Sequence, residues 1–242
     1  MSSKSKALIR TRGMGLSIKL FKFEGLSLTA AKLASTLKDI PYAPKKKSDI
    51  AKGFQSASVK GKVVVADFVS GFRVPVHGFD AAGEMTPVHY VSVERCTAFI
   101  KLDKGTIEIR GSERVARKCA NMIEEASGAK VSSLNLNGGT KKLYDAAADI
   151  AAVLLTGVEK GALTQAEFKG TGIKTEEEIG LYTRRYKGSI ARFRGTFPYP
   201  SGAFLTTVIN ADAGSLMVYR TGDGIAEKDV DYIVDLMENA AV

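Results

Sequence analysis

The stretch FIKLDKGTIEIRGSERVARKCANMI, residues 99–123, contains the pattern that decides the fold. It reads as a strand, a tight turn at Asp103-Lys104-Gly105, a second strand and a helix that begins near Glu113. The turn aspartate can accept local backbone N–H groups and the glycine can adopt a positive φ, so the turn favours a hairpin. Because the apolar period then changes from two to 3.6, the stretch predicts a strand hairpin followed by an amphipathic helix.

The same order recurs about a hundred residues later. A strand from Phe204 to Ile209 is followed by a turn at Asp212-Ala213-Gly214-Ser215, a second strand and apolar residues at helical spacing from Val230 to Met237. Upstream of each hairpin lies a strand that leads into a helix. The first of these helices could be capped by Ser27 or Thr29, and the second begins near Thr140.

Each half also holds a K-G-x-[VI] strand start, at Lys60 and at Lys187. We therefore predict an α+β fold made of a duplicated β-α-β-β-β-α unit, with halves at 14–128 and 129–242. The alternative is that an unduplicated α+β domain contains hairpin and helix segments that look alike.

Three segments fall outside the predicted repeat. Residues 1–13 form a basic arm that carries Lys4, Lys6, Arg10 and Arg12. The first half has an insertion near 72–95, and the second has one near 157–180. The first helix of the second half is predicted to continue from Ala146 to Leu155.

Composition predicts a soluble intracellular protein. The chain has 242 residues, of which 45% are hydrophobic, but its apolar runs are too short to span a bilayer. Its first residues lack the apolar stretch of a secretory signal. Cys96 and Cys119 have no C-x-x-C spacing, so we expect reduced interior residues, the first on a strand and the second on a helix.

Charge differs between the halves. Residues 1–129 carry a net charge of +10 and residues 130–242 a net charge of −1, within a total of +9. The asymmetry suggests that one half faces a polyanion and that the other can meet protein. The alternative is a basic surface that only confers solubility.

A basic and aromatic segment from Tyr182 to Tyr199 offers a second indication of polyanion binding. Arginines among aromatic residues on an exposed strand can contact phosphates and stack on bases. The alternative is an edge strand whose cations discourage pairing with other strands, while its aromatic residues pack inward.

The phrases Gly25-Leu26-Ser27-Leu28-Thr29 and Phe99 to Glu113, together with the order of elements, resemble the TATA-binding protein family. That family's repeat has a G-[VL]-x-L-[DT] helix entry and an L-I-F-x-S-G-K-[ILMV]-V-x-T-G-A hairpin before a long helix. The motifs match over about thirty residues of the first half and more weakly in the second. The resemblance implies a saddle, a curved antiparallel sheet with helices on one face and the other face free for DNA.

In that family, phenylalanines wedge between base steps from the minor groove. Here the hairpin wedge position is Leu102 in the first half and Ala211 in the second, and the earlier position lies near Lys60 and Lys187. Leucine can act as a wedge but alanine cannot. We therefore expect a divergent relative that does not kink DNA in the family manner.

Enzymatic function is not predicted. His77 and His89, with Asp80 and Glu84 between them, could hold a metal, but they read more simply as residues flanking a hairpin loop. Gly138-Gly139-Thr140 opens a helix without the spacing of a P-loop. We expect no catalytic residues, no metal and no cofactor.

The sequence thus predicts a non-catalytic protein that binds double-stranded DNA, with a role in transcription or its regulation. The alternative is a scaffold subunit that uses the same saddle to grip a partner protein. Candidate DNA contacts are cations on or beside predicted strands and two apolar residues: Lys19, Lys22, Lys60, Lys62, Lys101, Leu102, Arg110, Arg184, Arg185, Lys187, Arg192, Phe193 and Arg194.

Overall fold

The computed structural model describes residues 8–11, 13–46, 49–136, 138–222 and 224–241. These residues form an α+β fold, as predicted, with a large antiparallel sheet of eleven strands and five α-helices. Two further strands, β1 (Leu8–Ile9) and β13 (Ile225–Ala226), pair with each other. This pairing gives structure to part of the predicted basic arm, whose Lys4, Lys6 and Arg12 lie outside the described residues.

The chain divides into two compact units. The central unit comprises Phe21–Ser132, and the discontinuous unit comprises Met1–Leu20 with Ser133–Val242. The division differs from the predicted boundary at 128/129, chiefly because the first part of β2 (Gly15–Glu24) belongs with the C-terminal residues. Lys19 and Ile18 of β2 pair with Ser215 and Leu216, which accounts for this assignment.

The central unit is a four-stranded antiparallel meander with two helices. Its elements are α1 (Ala30–Lys38), β3 (Lys52–Lys60), β4 (Val63–Phe79), β5 (Met85–Lys101), β6 (Thr106–Arg110) and α2 (Glu113–Ser127). Neighbouring strands pair in chain order from β3 to β6. The sequence had not predicted β3, because its SASVK end carries little apolar alternation.

The core of the central unit lies between the sheet and its helices. Alternate residues of β4, such as Ala66 and Phe68, are buried together with Cys119 and Ile123 of α2. The Ser112 side chain caps α2 by accepting from the backbone N–H of Val115, and the helix ends at Gly128, whose φ is 70°. The predicted placement of both cysteines is confirmed, since Cys96 and Cys119 are buried and unpaired by any disulfide.

β4 and β5 continue beyond the meander as a two-stranded ribbon. Their pairing runs without a register shift to Phe79 opposite Met85. In the described chain, β3 pairs only as far as Ser70 and β6 only with residues 97–101, so residues 73–79 and 85–93 have no third strand. The predicted insertion near 72–95 is therefore an extended hairpin.

The discontinuous unit surrounds a second core. Its elements after β7 (Lys130–Ser133) are α3 (Thr140–Ala146), β8 (Asp149–Lys160), β9 (Leu163–Lys169), α4 (Glu177–Arg184), β10 (Ser189–Pro198), β11 (Phe204–Asn210), β12 (Ser215–Tyr219) and α5 (Glu227–Ala240). The strands pair in the order β2, β12, β11, β10, β8, β9. Val230, Ile233 and Val234 of α5 are fully buried in this core.

One prediction in the discontinuous unit was wrong. The segment from Ala146 to Leu155 is not a continued helix, because α3 ends at Ala146 and β8 begins at Asp149. Within the predicted insertion near 157–180, residues 157–169 belong to the hairpin that β8 and β9 form. A continuous apolar run does not separate a buried strand from a buried helix by its period, and alanine favoured the helix here.

In the described residues, no helix is both long enough and apolar enough to cross a lipid bilayer.

Candidate nucleic-acid interface

Strand β10 has one buried face and one exposed face. Phe193 and Phe197 are buried in the core, and the Phe193 ring meets the Tyr144 ring of α3 edge to face at a centroid distance of 5.6 Å. Because side chains alternate along a strand, Arg192 and Arg194 lie on the opposite face, where both are exposed. We call this side, turned away from α3, the outer face of the discontinuous unit.

The neighbouring strand β11 completes this outer face. Arg192 lies opposite Asn210, and Arg194 lies opposite Val208. Further along, the pairing brings Pro198 opposite Phe204. Cations therefore occupy one end of the β10–β11 pair, and an exposed aromatic ring occupies the other.

A shallow concavity of about 320 Å³ lies around the two arginines. Its lining also includes Lys169 of β9, Val208 of β11 and Tyr219 of β12. Four neighbouring strands, β8, β9, β11 and β12, therefore line it together with β10, and Glu167 of β9 is part of the lining. We call this surface the cationic concavity.

The two arginines of the cationic concavity have no acidic partner within 4 Å among the described residues. Arg194 instead places its Cζ atom 5.7 Å from the centroid of the Tyr219 ring. Lys169 does have a partner, since its Nζ atom lies 3.0 Å from Oε2 of Glu167, and both side chains are exposed. The arrangement leaves two guanidinium groups able to donate hydrogen bonds to a phosphate or carboxylate.

Arg184, Arg185 and Lys187 lie elsewhere in the discontinuous unit. They are exposed at the end of α4 and in the loop before β10, and the concavity is lined by other residues. Lys187 contacts Glu159, with 2.7 Å between Nζ and Oε2, and the hydrogen bond to this carboxylate raises the pKa of the lysine. The structure therefore does not bring these three cations together with Arg192 and Arg194.

Two predicted contacts are wrong because their side chains are buried. Phe193 is 1% exposed and belongs to the core, so it cannot reach a DNA groove. Lys19 is also 1% exposed, although the alternation of β2 predicted an outward side chain. A folded protein cannot present either residue to a phosphate or a base.

The central unit neutralises two of its predicted cations, Lys101 and Arg110. Glu108, itself 2% exposed, lies between Lys101 and Arg110, with an Nζ–Oε2 distance of 3.3 Å and an Nε–Oε1 distance of 2.6 Å. The Cζ atom of Arg110 also lies 4.4 Å from the centroid of the Phe99 ring. A phosphate would have to compete with a carboxylate that both cations already contact.

The remaining candidates of the central unit are separate from that cluster. Lys60 and Lys62 are exposed on either side of the turn at Gly61. Lys22 is exposed and its Nζ atom lies 3.5 Å from Glu24 Oε1. Leu102 is half-buried against the core, which reduces the surface it could offer as a wedge.

Three outer-face residues were missed by the sequence analysis. Lys169 lies on β9, whose sequence LTQAEFK has no clear apolar period, whereas Phe204 and Tyr219 lie at the ends of hairpin strands that were predicted. Their alternation with the buried residues Leu205 and Val218 was a usable signal, since it places both rings on the side opposite the core.

The other motifs find structural explanations. His77 and His89 lie on the β4–β5 ribbon, opposite Pro87 and Pro75. In the part of the chain that the structure describes, no three His, Cys, Asp or Glu residues are grouped so as to hold a metal ion. Gly139 of the G-G-T motif packs closely on the end of α5 and leaves no room for a side chain. A Cβ atom there would lie 1.7 Å from the carbonyl oxygen of Ala240.

Comparison with known proteins adds no family to this geometry: no protein-family model matches the chain, and no curated protein matches it.

Proposed function

We propose that this protein binds double-stranded DNA, without performing chemistry, through the outer face of the discontinuous unit. The observation that carries the proposal is the pair Arg192 and Arg194, which are exposed two positions apart and lack an acidic partner among the described residues. Alternate residues of a strand lie about 7 Å apart on one face, so the two guanidinium groups can contact two nearby phosphates of one nucleic-acid strand, which rise about 3.4 Å each along the axis. We place this activity in transcription or its regulation, inside the cell.

We also propose that the scaffold is a duplicated unit of the TATA-binding protein type, forming a saddle. Support comes from the order of elements, since each unit has a short helix, antiparallel strands, a tight turn and a long final helix. The turns at Gly105 and Gly214 both have a positive φ, of 65° and 56°. The first half holds one strand more than the predicted β-α-β-β-β-α order, namely β3, and the second half holds two more strands, β8 and β9, and the additional helix α4.

Charge reversal tests the DNA proposal. We expect the double variant R192E/R194E to bind a labelled duplex about 10- to 100-fold more weakly at low salt. The slope of log affinity against log salt should decrease by about 2, because two phosphate contacts are lost. Fluorescence anisotropy titrations at about 50 mM and 200 mM salt give both quantities.

A matched control separates the site from net charge. The double variant K141E/K142E makes the same change in charge on α3, whose two lysines are exposed on the opposite side of this unit. We expect its affinity to stay within about threefold of the wild type, because distant charges are screened. Equal losses in the two double variants would show that net charge alone attracts DNA and would contradict the proposed site.

A scaffold role is the second candidate function, and the ribbon of β4 and β5 favours it. Phe79 and Met85 lie opposite each other in the pairing and are both more than half exposed, although they are large apolar residues. Such a patch fits a protein partner better than it fits phosphate. Wild-type protein that fails to shift a duplex at low salt would leave the scaffold role as the better explanation.

A further inference from the structure

We infer that the outer face of the discontinuous unit also binds unpaired nucleotides, with Phe204 as a stacking platform beside the cationic concavity. This inference rests on the proposed DNA binding and names the form of DNA that the site prefers. It starts from Phe204, which is 64% exposed at the first position of β11.

The Phe204 ring has room for a ligand. Its neighbour in the chain, Leu205, is buried in the core, so the alternation of β11 directs Phe204 away from the core. In the described structure, Phe204 takes part in no ring–ring contact and in no apolar cluster around the core. Its cross-strand neighbour is Pro198, which is also exposed.

The spacing between ring and cations fits a short strand of nucleic acid. Arg194 lies opposite Val208, and Val208 is four residues from Phe204 along β11, which is about 13 Å. At a stacked spacing of 3.4 Å per phosphate of one strand, this distance corresponds to about four nucleotides. One strand can therefore contact the arginines with its phosphates and reach Phe204 with a base.

A second ring lies within the concavity itself. Tyr219 is half-buried on β12, with Arg194 over its face. Together with Val208, it gives the concavity an apolar floor between cations. Cationic grooves with aromatic side chains are the composition that binds single strands independently of sequence, because every base has a face that can stack.

Duplex and single-stranded DNA differ in whether their base faces are available to stack on Phe204. In a duplex that is not kinked, the base faces are stacked on one another, so an exposed ring on a sheet face does not reach them. In a single strand the faces are available, and stacking on one aromatic residue accounts for about fivefold or more in affinity. We therefore expect Phe204 to contribute to single-strand binding and not to duplex binding.

The test compares two ligands and three proteins. Wild type, Phe204→Ala and Phe204→Trp are titrated by anisotropy against a labelled oligothymidylate of about twelve nucleotides and against a duplex. We expect Phe204→Ala to bind the oligothymidylate about fivefold or more weakly, Phe204→Trp to retain binding, and all three to bind the duplex equally. Leu163→Ala on β9, another exposed apolar residue of this unit, serves as the matched control and should change neither affinity.

Each outcome is decisive. The inference is overturned if Phe204→Ala binds the oligothymidylate with the affinity of the wild type. It is also overturned if the variant loses affinity equally for the oligothymidylate and for the duplex. These results leave the proposed function standing, because that function is measured by the duplex affinity of the wild type and of R192E/R194E. Thermal unfolding followed by circular dichroism verifies that each variant is folded.

Discussion

The hairpins of β5–β6 and β11–β12 share a turn pattern but differ in whether an acidic residue follows the turn. Three residues after the turn glycine, the first hairpin has Glu108 and the second has Met217. Glu108 binds Lys101 and Arg110, whereas the second hairpin holds no acid at these positions and the neighbouring Arg194 stays unpaired among the described residues.

This difference shows that the net charge of a segment does not reveal whether its cations already have acidic partners. The half of the chain with a net charge of +10 holds Lys101 and Arg110, which are engaged by a buried carboxylate, while the half with a net charge of −1 presents the exposed arginine pair. Net charge over a segment describes long-range attraction, but a contact depends on whether each cation already has a partner.

The largest expected effect comes from removing the buried acid of the first hairpin. Glu108→Ala leaves Lys101 and Arg110 close together without their carboxylate, and their side chains are only 15% and 10% exposed. Breaking a buried ion pair from one side costs about 3–5 kcal/mol of unfolding free energy. Urea denaturation measures the loss.

Glu113→Ala is the matched control for that measurement. It removes a carboxylate from an exposed pair with Arg117 on α2, for which we expect a loss below about 1 kcal/mol. Similar losses in the two variants would mean that burial does not distinguish the Glu108 cluster from an ordinary surface pair, and the contrast between the hairpins would lose its energetic basis.

The two turn glycines are expected to differ in their tolerance of a side chain. A Cβ atom on Gly214 would lie 2.3 Å from the carbonyl oxygen of Leu134 and 2.9 Å from that of Leu20, whereas one on Gly105 has its nearest contact at 3.6 Å, with Phe23. Both have a positive φ, which strains alanine by about 1–2 kcal/mol.

We therefore expect Gly105→Ala to lower the unfolding free energy by about 1–2 kcal/mol and Gly214→Ala to lower it by about 3 kcal/mol or more. Urea denaturation of the two variants in parallel provides the comparison. If Gly214→Ala were the milder change, the close packing of the second turn on backbone carbonyls would be refuted.

The smallest expected effect comes from giving the second hairpin an acid. Val208→Glu puts a carboxylate directly opposite Arg194, where cross-strand side chains are about 5 Å apart at Cβ. We expect about tenfold weaker duplex binding and a salt slope reduced by about 1, because Arg194 then has a partner. Val208→Gln, which adds similar volume without charge, should bind like the wild type in the same anisotropy titration.

Much of the fold could be predicted where the turn residues, caps and apolar period of a segment all indicated the same element. The turn at Gly105, the Ser112 cap and the period of α2 agree with one another, and the hairpin and helix follow them closely. β8 could not be predicted in this way, because Ile150 to Leu155 is apolar throughout and its partner strands lie outside any sequence window. Tertiary pairing outweighed the helical preference of its alanines.

The candidate site was predicted only in part, because alternation along a strand does not show which residues from elsewhere in the chain cover it. The exposure of Arg192 and Arg194 follows from alternation along a strand, but the same alternation places Phe193 in the core. Neighbouring positions of β10 therefore could not supply both the cationic contacts and the apolar contact that were predicted. Lys19 was assigned by the same rule and is nevertheless covered. Burial of an outward residue depends on neighbours that are distant in sequence.

The prolines of the β4–β5 ribbon have a consequence for self-association. Pro75 and Pro87 lie on different strands, and the ladder passes both without a register shift, which is the behaviour of prolines whose missing N–H faces away from the partner strand. Each unpaired edge of the ribbon therefore lacks one donor that an incoming strand would need. The β4–β5 ribbon can therefore extend into solvent without pairing with strands of other molecules.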